Sequence, residues 1–374
     1  MRFSLTMAST LVLSVLSTTA QDGPGNGPAN RPAAPFPSAD FVLRDAPHKE
    51  PRSGVQLQGG QLTIASGVGT PTTINALSFS ADGKILVAGK DFGRVVIWDV
   101  EKKKFLRAID TDQGMVRAVA VSPDGRSIAT GGSQDNNSVK IWDVSTGNML
   151  WKFAEARAEI GHLFFDMQGK WLAISDNTSN LYILDMAEHR SIVTLPDIHA
   201  VAMARDGESL ISTDGKEFAV WTAPSWKKTQ SLPMPNKFSL LLAANSATDQ
   251  LAIYERRVVK VEQLNTGKTI LERADLVSKN FTWRPEFAAF SSDGSLLYLS
   301  IDGRLLILDV KSGDTCSGPV MYSGAAGLSP DGQWFAGAKD DSIVSRERTD
   351  GVWVWSTNRL LEKCSVGRPS RTAP

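Results

Sequence analysis

The chain has 374 residues, 40 Lys+Arg against 40 Asp+Glu, and 42% hydrophobic residues. Balanced charge leaves no net field to draw it onto a polyanion, which argues against a generally basic nucleic-acid binder and against an acidic tail. The length allows one large domain or two medium ones.

In chain order, residues 1–20 read as a secretory signal. Arg2 supplies the positive start, Leu11-Val12-Leu13-Ser14-Val15-Leu16 the apolar core, and Thr18-Thr19-Ala20 a small-residue cleavage site. The apolar run is shorter than the roughly 20 residues that span a bilayer, so no transmembrane segment is expected in the mature chain. The expectation is export, to a periplasm or to the medium. Residues 21–52 hold Pro24, Pro28, Pro32, Pro35 and Pro37 and read as a flexible tether. Residues 367–374 read as a disordered tail.

Between these ends a turn repeats. Ser80-Ala81-Asp82-Gly83 returns as Ser122-Pro123-Asp124-Gly125, Ser291-Ser292-Asp293-Gly294 and Ser329-Pro330-Asp331-Gly332. Weaker copies are Asp166-Met167-Gln168-Gly169 and Ala204-Arg205-Asp206-Gly207. Asp bonds back to the backbone in such turns and Gly takes positive φ. Short strands flank each turn, and a third strand ends in an aromatic or apolar residue, as in Val95-Val96-Ile97-Trp98-Asp99 and Val139-Lys140-Ile141-Trp142-Asp143. A second turn and a fourth strand complete a meander of about 40 residues, the size of one propeller blade. Units fall near 74–110, 116–155, 160–195, 198–232, 238–273, 286–320 and 324–361, the fifth lacking the Asp-Gly turn. The predicted fold is all-β: a seven-bladed β-propeller of four-stranded antiparallel blades over residues 53–366. Residues 55–66 are expected to add a strand to the last blade, because a ring needs a joint and an open edge invites aggregation.

These units resemble WD repeats, carried by the two Trp-Asp dipeptides and the turns in phase. The likeness is to a divergent, bacterial-type member: the Gly-His dipeptide that begins many such repeats occurs once, at Gly161-His162. The family's buried hydrogen-bond tetrad uses that His and is therefore expected to be incomplete. What the resemblance implies is a rigid, non-enzymatic platform for a protein or peptide partner, a monomeric ring, and no cofactor.

Trp98, Trp142, Trp221 and Trp355 share one third-strand position and are expected to pack between blades. Gly131-Gly132 reads as turn or strand-end geometry. Cys316 and Cys364 are the only cysteines and are candidates for a disulfide in an oxidising compartment, with nothing in the sequence to decide it. No zinc, calcium, phosphate-loop or nucleophile-elbow motif is present.

Aligning the blades on their turns superposes Asn75, Arg117, Gly161, His199, Glu286 and Gly324, which in this fold lie near one mouth of the central channel. Loops between second and third strands open on the same face and bring Asp91, Gln134 to Asn137, Asn177, Arg346 and Arg348. This mouth is the candidate binding surface. Two other readings stay open. Arg117, His199 and Glu286 resemble the cluster of a propeller enzyme, lactonase-like or quinoprotein-like. Trp151, Trp171, Trp226 and Trp334, if exposed, would suit a carbohydrate or cell wall.

Overall fold

The computed structural model describes residues 39–44, 57–58, 61–62, 73–133, 138–204, 208–234, 239–276, 285–301, 303–320, 325–339, 351–362 and 364. All lie in one compact unit, residues 36–374. Residues 1–20, expected to be a secretory signal, residues 367–374, expected to be a tail, and Gly324, Gln134 to Asn137, Arg346 and Arg348 fall outside the described residues.

Among the described residues, seven four-stranded sheets follow one another along the chain, every ladder antiparallel. Blade 1 is Ile74–Phe79, Ile85–Lys90, Arg94–Asp99 and Lys104–Asp110. The first strands of blades 1, 2 and 3 lie side by side, as do those of blades 7 and 1, so the ring closes.

The repeated turn explains the repeated hairpin. Ser80 Oγ donates to Asp82 Oδ1 at 2.6 Å, that oxygen accepts from Lys84 N at 3.1 Å, and Ile85 N donates to Ser80 Oγ at 2.9 Å. Gly83 closes the turn at φ +68°, where a side chain is strained. Ser122/Asp124 and Ser291/Asp293 repeat the arrangement, and the serine hydroxyl holds each of these aspartates below the ordinary carboxylate pKa. Blade 3 has no serine there, and Asp166 bonds both Gln168 N and Trp171 N itself.

Between blades the core is aliphatic with tryptophan inserts. Val87, Val95 and Ile97 of blade 1 pack against Ile128 and Trp142 of blade 2, each fully buried branched side chain contributing roughly 1.5–3 kcal/mol. Trp98, Trp142 and Trp355 are buried as expected, and Trp221 is half-buried. Gly131-Gly132 sits at a strand end because neighbours press on it. A Cβ at Gly131 would lie 2.5 Å from Ile160 of blade 3, and one at Gly132 would lie 2.6 Å from Gln113.

The joint differs from the sequence expectation. The fourth strand of blade 7 is Phe41–Arg44, paired with Gly351–Ser356. The tether assignment therefore fails at residues 41–44, and residues 55–66 do not supply this strand. Within residues 55–66 the described pairs Leu57–Gln58 and Gln61–Leu62 form a separate two-stranded hairpin. Alternation decides the joint: Leu43 enters the core with Val352 and Val354, while Phe41 meets Trp334 edge-on at 5.6 Å. Arg44 O accepts from the Trp98 indole at 3.0 Å, tying the joint to blade 1. Asp40 accepts from Ser356 N at 2.7 Å and from the Arg359 guanidinium, on the short helix Thr357–Glu362. Cys316 and Cys364 are disulfide-bonded, Cα atoms 5.7 Å apart, joining the fourth strand of blade 6 to the chain beyond that helix.

Blade 5 departs from the others. Its register places Glu262 opposite Leu251, the position of Trp98 opposite Leu86. Glu262 is buried, and burial pushes its carboxyl above the ordinary 4.5. A raised folded-state pKa contributes stability below the unfolded pKa and loses it as pH rises through the folded value. Glu262→Gln, a neutral isostere, is therefore expected to melt roughly 1–3 °C above wild type at pH 8, with the difference vanishing near pH 4. A difference of the same size at both pH values contradicts this account of Glu262.

Candidate binding site at the channel mouth

Each first strand begins at the mouth, and three blades place an extra residue there. The ladder skips Asn75 between Ile74 and Ala76, Arg117 between Val116 and Ala118, and Gly161 between Ile160 and His162. A bulged residue is left out of the pairing and its side chain is re-aimed. The positions superposed by the turn alignment are thus the bulge positions in blades 1, 2 and 3. In blades 4 and 6, His199 and Glu286 stand just before the first strand, their N–H groups donating to Thr213 O at 2.7 Å and Ser300 O at 3.2 Å. Arg117, His199 and Glu286 are exposed.

The mouth residues associate in small groups. Asp91 accepts from Thr73 N at 3.1 Å and from Asn75 Nδ2 at 3.0 Å, so its carboxylate clamps the entry to blade 1. Arg117 Nε meets Glu159 Oε1 at 2.8 Å, and Glu159 Oε2 accepts from Asn177 Nδ2 at 3.2 Å. Glu159 thereby bridges blades 2 and 3. With Arg117 half exposed the pair adds at most about 1 kcal/mol, so its consequence is orientation of the guanidinium. His199 rests on Gly215, where a Cβ would stand 3.1 Å from Nδ1. Among the described residues no hydrogen bond or ion pair joins Arg117, His199 and Glu286 to one another.

Beside Asp91 lies a feature with no sequence signal. Phe92 has φ 60°, ψ 31° and is 61% exposed. A bulky side chain in left-handed backbone is a real outlier, and such strain persists only when the surroundings impose it. The clamp through Asp91 holds one side of this tip, and Thr111 holds the other by donating from N and Oγ1 to Gly93 O at 2.8 and 2.7 Å. The result is an exposed aromatic on a turn whose two flanking residues, Asp91 and Gly93, are hydrogen-bonded at the mouth.

Under the blade 2 side lies a buried polar chain. Trp142 Nε1 donates to Thr130 Oγ1 at 2.9 Å, and Thr130 Oγ1 donates to Gln113 Oε1 at 2.6 Å. Gln113 Nε2 then donates to Ser138 O at 2.6 Å. Blade 4 has the first link, Trp221 Nε1 to Ser212 Oγ at 2.8 Å. The tetrad expected to be incomplete for want of a histidine is carried in blade 2 by Gln113, whose amide both accepts and donates. Lys140 Nζ, its pKa pushed down by burial, donates to Thr111 O and pins the same loop.

His162 lies in the first strand of blade 3, so Gly161-His162 is not the repeat-opening dipeptide. Its ring is reached by solvent yet enclosed by protein, as in a channel wall, and enclosure pushes the imidazole below its ordinary 6.5. Among the described residues no group of three His, Cys, Asp or Glu is placed to hold a metal ion. Among the described residues four tryptophans lie outside the third strands; Trp226 is buried and Trp151, Trp171 and Trp334 are half-buried. Trp151 is stacked on His189, Trp171 meets Trp226, and Trp334 meets Phe41.

Comparison with known proteins agrees with this architecture. Residues 63–99 and 103–143 match the family model "WD domain, G-beta repeat". The U3 small nucleolar RNA-associated protein 15 of Schizosaccharomyces pombe is 29% identical over 181 residues, 46% of this chain and 35% of that protein. The small ribosomal subunit protein RACK1y of Oryza sativa is 31% identical over 116 residues, 30% of this chain and 34% of that protein. The chain spans about a third of the length of these curated relatives. The Cps50 (Swd1) β-propeller domain of Myceliophteria thermophila superposes with a TM-score of 0.61 at 17% identity, over 76% of this chain and 98% of that one.

Proposed function

The chain belongs to the WD40-repeat β-propellers, and from that premise we propose that it is an exported, non-enzymatic platform whose channel mouth receives a protein or peptide partner. The observation that carries this reading is the mouth itself. Bulges in successive blades turn Asn75 and Arg117 out of the ladder, and Asn75 is bonded to Asp91, the chain neighbour of the exposed Phe92. An exposed aromatic on blade 1 and a guanidinium on blade 2 that Glu159 orients are residue types enriched in binding hot spots, where Tyr, Trp, Phe and Arg outweigh other residues. WD40 propellers usually bind proteins, and zero net charge gives no pull toward nucleic acid. A disulfide and a signal-like segment at residues 1–20 support an oxidising, non-cytoplasmic location.

The test is a crosslinking pull-down from the native organism's non-cytoplasmic fraction with wild type and with Arg117→Ala/His199→Ala. Both side chains are exposed, so the variant is expected to melt within about 1 °C of wild type. The expected result is a partner held by wild type and lost by the folded variant. A partner held equally by both removes the mouth from the account.

A further inference from the structure

We propose that a cavity between blades 2 and 3, at the end of the ring opposite the mouth, seats one lysine or arginine side chain of an extended protein segment. The segment lies along the open edge of strand Met149–Phe153. This second site goes beyond the channel-mouth reading and stands or falls without it.

The cavity has a volume of about 240 Å³ and opens between the Ser122–Ser127 turn of blade 2 and the third-to-fourth-strand turn of blade 3. Pockets for drug-sized ligands run from about 300 to 1,000 Å³, so this one is scaled to a single side chain. Ile141, Phe165 and Met186 give it apolar walls. Trp151 lies stacked on His189, ring centroids 4.9 Å apart and planes at 13°. His189 holds this position at φ 53°, a left-handed backbone that the turn imposes. Met149, Leu150 and Met167 flank the opening and are each more than half exposed. Exposed apolar side chains gathered round one opening mark an interaction surface, and methionines adapt to what they cover.

Charge selects the occupant. Asp124 is the one carboxylate in the lining, which contains neither lysine nor arginine. Its Oδ1 takes both local bonds, from Ser122 Oγ at 2.6 Å and Arg126 N at 3.0 Å. Oδ2 has no hydrogen-bond partner among the described residues. Asp82 and Asp331 likewise close their turns through Oδ1, while the equivalent Asp293 engages both oxygens within its own turn. An apolar wall ending in one unengaged carboxylate oxygen matches a basic side chain. The aliphatic stem covers Ile141, Phe165 and Met186 while the cation reaches Asp124 as a charge-assisted donor beside the Trp151 ring. An aliphatic side chain would gain nothing from Asp124, and an acidic one would be repelled.

The strand edge supplies the backbone partner. Met149–Phe153 is the last strand of its sheet and pairs only with Val139–Asp143, so its outer N–H and C=O groups face away from the sheet. The ladder passes from Trp151 to Met149, leaving Leu150 as a bulged residue turned outward at the rim. A strand added here gains main-chain hydrogen bonds from the edge and specificity from the cavity.

The experiment pans a phage library of random dodecapeptides on the full chain carrying Arg117→Ala/His199→Ala, so that the mouth does not select. Selected peptides are then measured by fluorescence anisotropy against the same protein with Asp124→Asn or Leu150→Lys added. Asn keeps the Oδ1 acceptor of the turn, and position 150 is exposed, so at least one variant keeps the fold. The expected result is a common Lys or Arg among β-forming residues, with binding weakened about tenfold or more by each substitution. No common motif, a motif without a basic residue, or binding unchanged in both variants overturns the proposal. None of these outcomes bears on the mouth.

Discussion

Leu43→Asp is expected to lower stability by roughly 3–5 kcal/mol, the range for losing a large core side chain with a buried charge put in its place. Leu43 is 1% exposed and packs with Trp98, Val352 and Val354 where the ring is joined. The loss falls on the joint, so the urea midpoint should drop with little change in slope if the whole ring melts together. Val55→Asp serves as the comparison, because residues 55–66 are the segment that sequence reasoning assigns to this position. A large loss at Val55 and none at Leu43 would reverse the assignment of the closing strand.

Removing the disulfide has the second-largest expected effect. Cys316 and Cys364 are separated by 48 residues, and closing a loop of that size restricts the unfolded chain by about 4 kcal/mol. Cys316→Ala/Cys364→Ala is expected to lose most of that in equilibrium unfolding, and wild type under reductant to lose a similar amount. A loss below about 1 kcal/mol in both would show that the helix Thr357–Glu362 is held in place by the Asp40–Arg359 pair and by packing alone.

What the sequence made legible was local. A Ser-x-Asp-Gly turn closes on itself through bonds spanning two to five residues, so its period and the blades it punctuates can be read without knowing any partner. The joint was illegible for the opposite reason. Phe41–Arg44 is a four-residue strand in a proline-rich stretch, and its partner Gly351–Ser356 lies some 310 residues away in sequence. Nothing near it in the chain distinguishes it from the weak alternation of residues 55–66.

The mouth was half legible. Turn alignment finds Asn75, Arg117, His199 and Glu286, but whether each is paired or bulged depends on register, which is a property of two strands. Glu159 matters because it meets Arg117 across a blade boundary, and Asn177 bonds the other oxygen of that carboxylate. Gln113 was missed because the family pattern points to histidine, although glutamine offers one donor and one acceptor group to the same neighbours. Phe92 carries a conformational signal that exists only in three dimensions. The cavity at Asp124 draws its walls from separate stretches of blades 2 and 3, and no spacing in the sequence announces it.

The central claim is that the channel mouth is where a partner binds, and site-specific photo-crosslinking tests it most directly. A photo-reactive amino acid placed at position 117 of the full chain, and separately at the exposed outer-strand position 228, is illuminated in the native non-cytoplasmic fraction. The account predicts a discrete protein adduct from position 117 and none from position 228. Adducts from position 228 alone, or none from either, would contradict it.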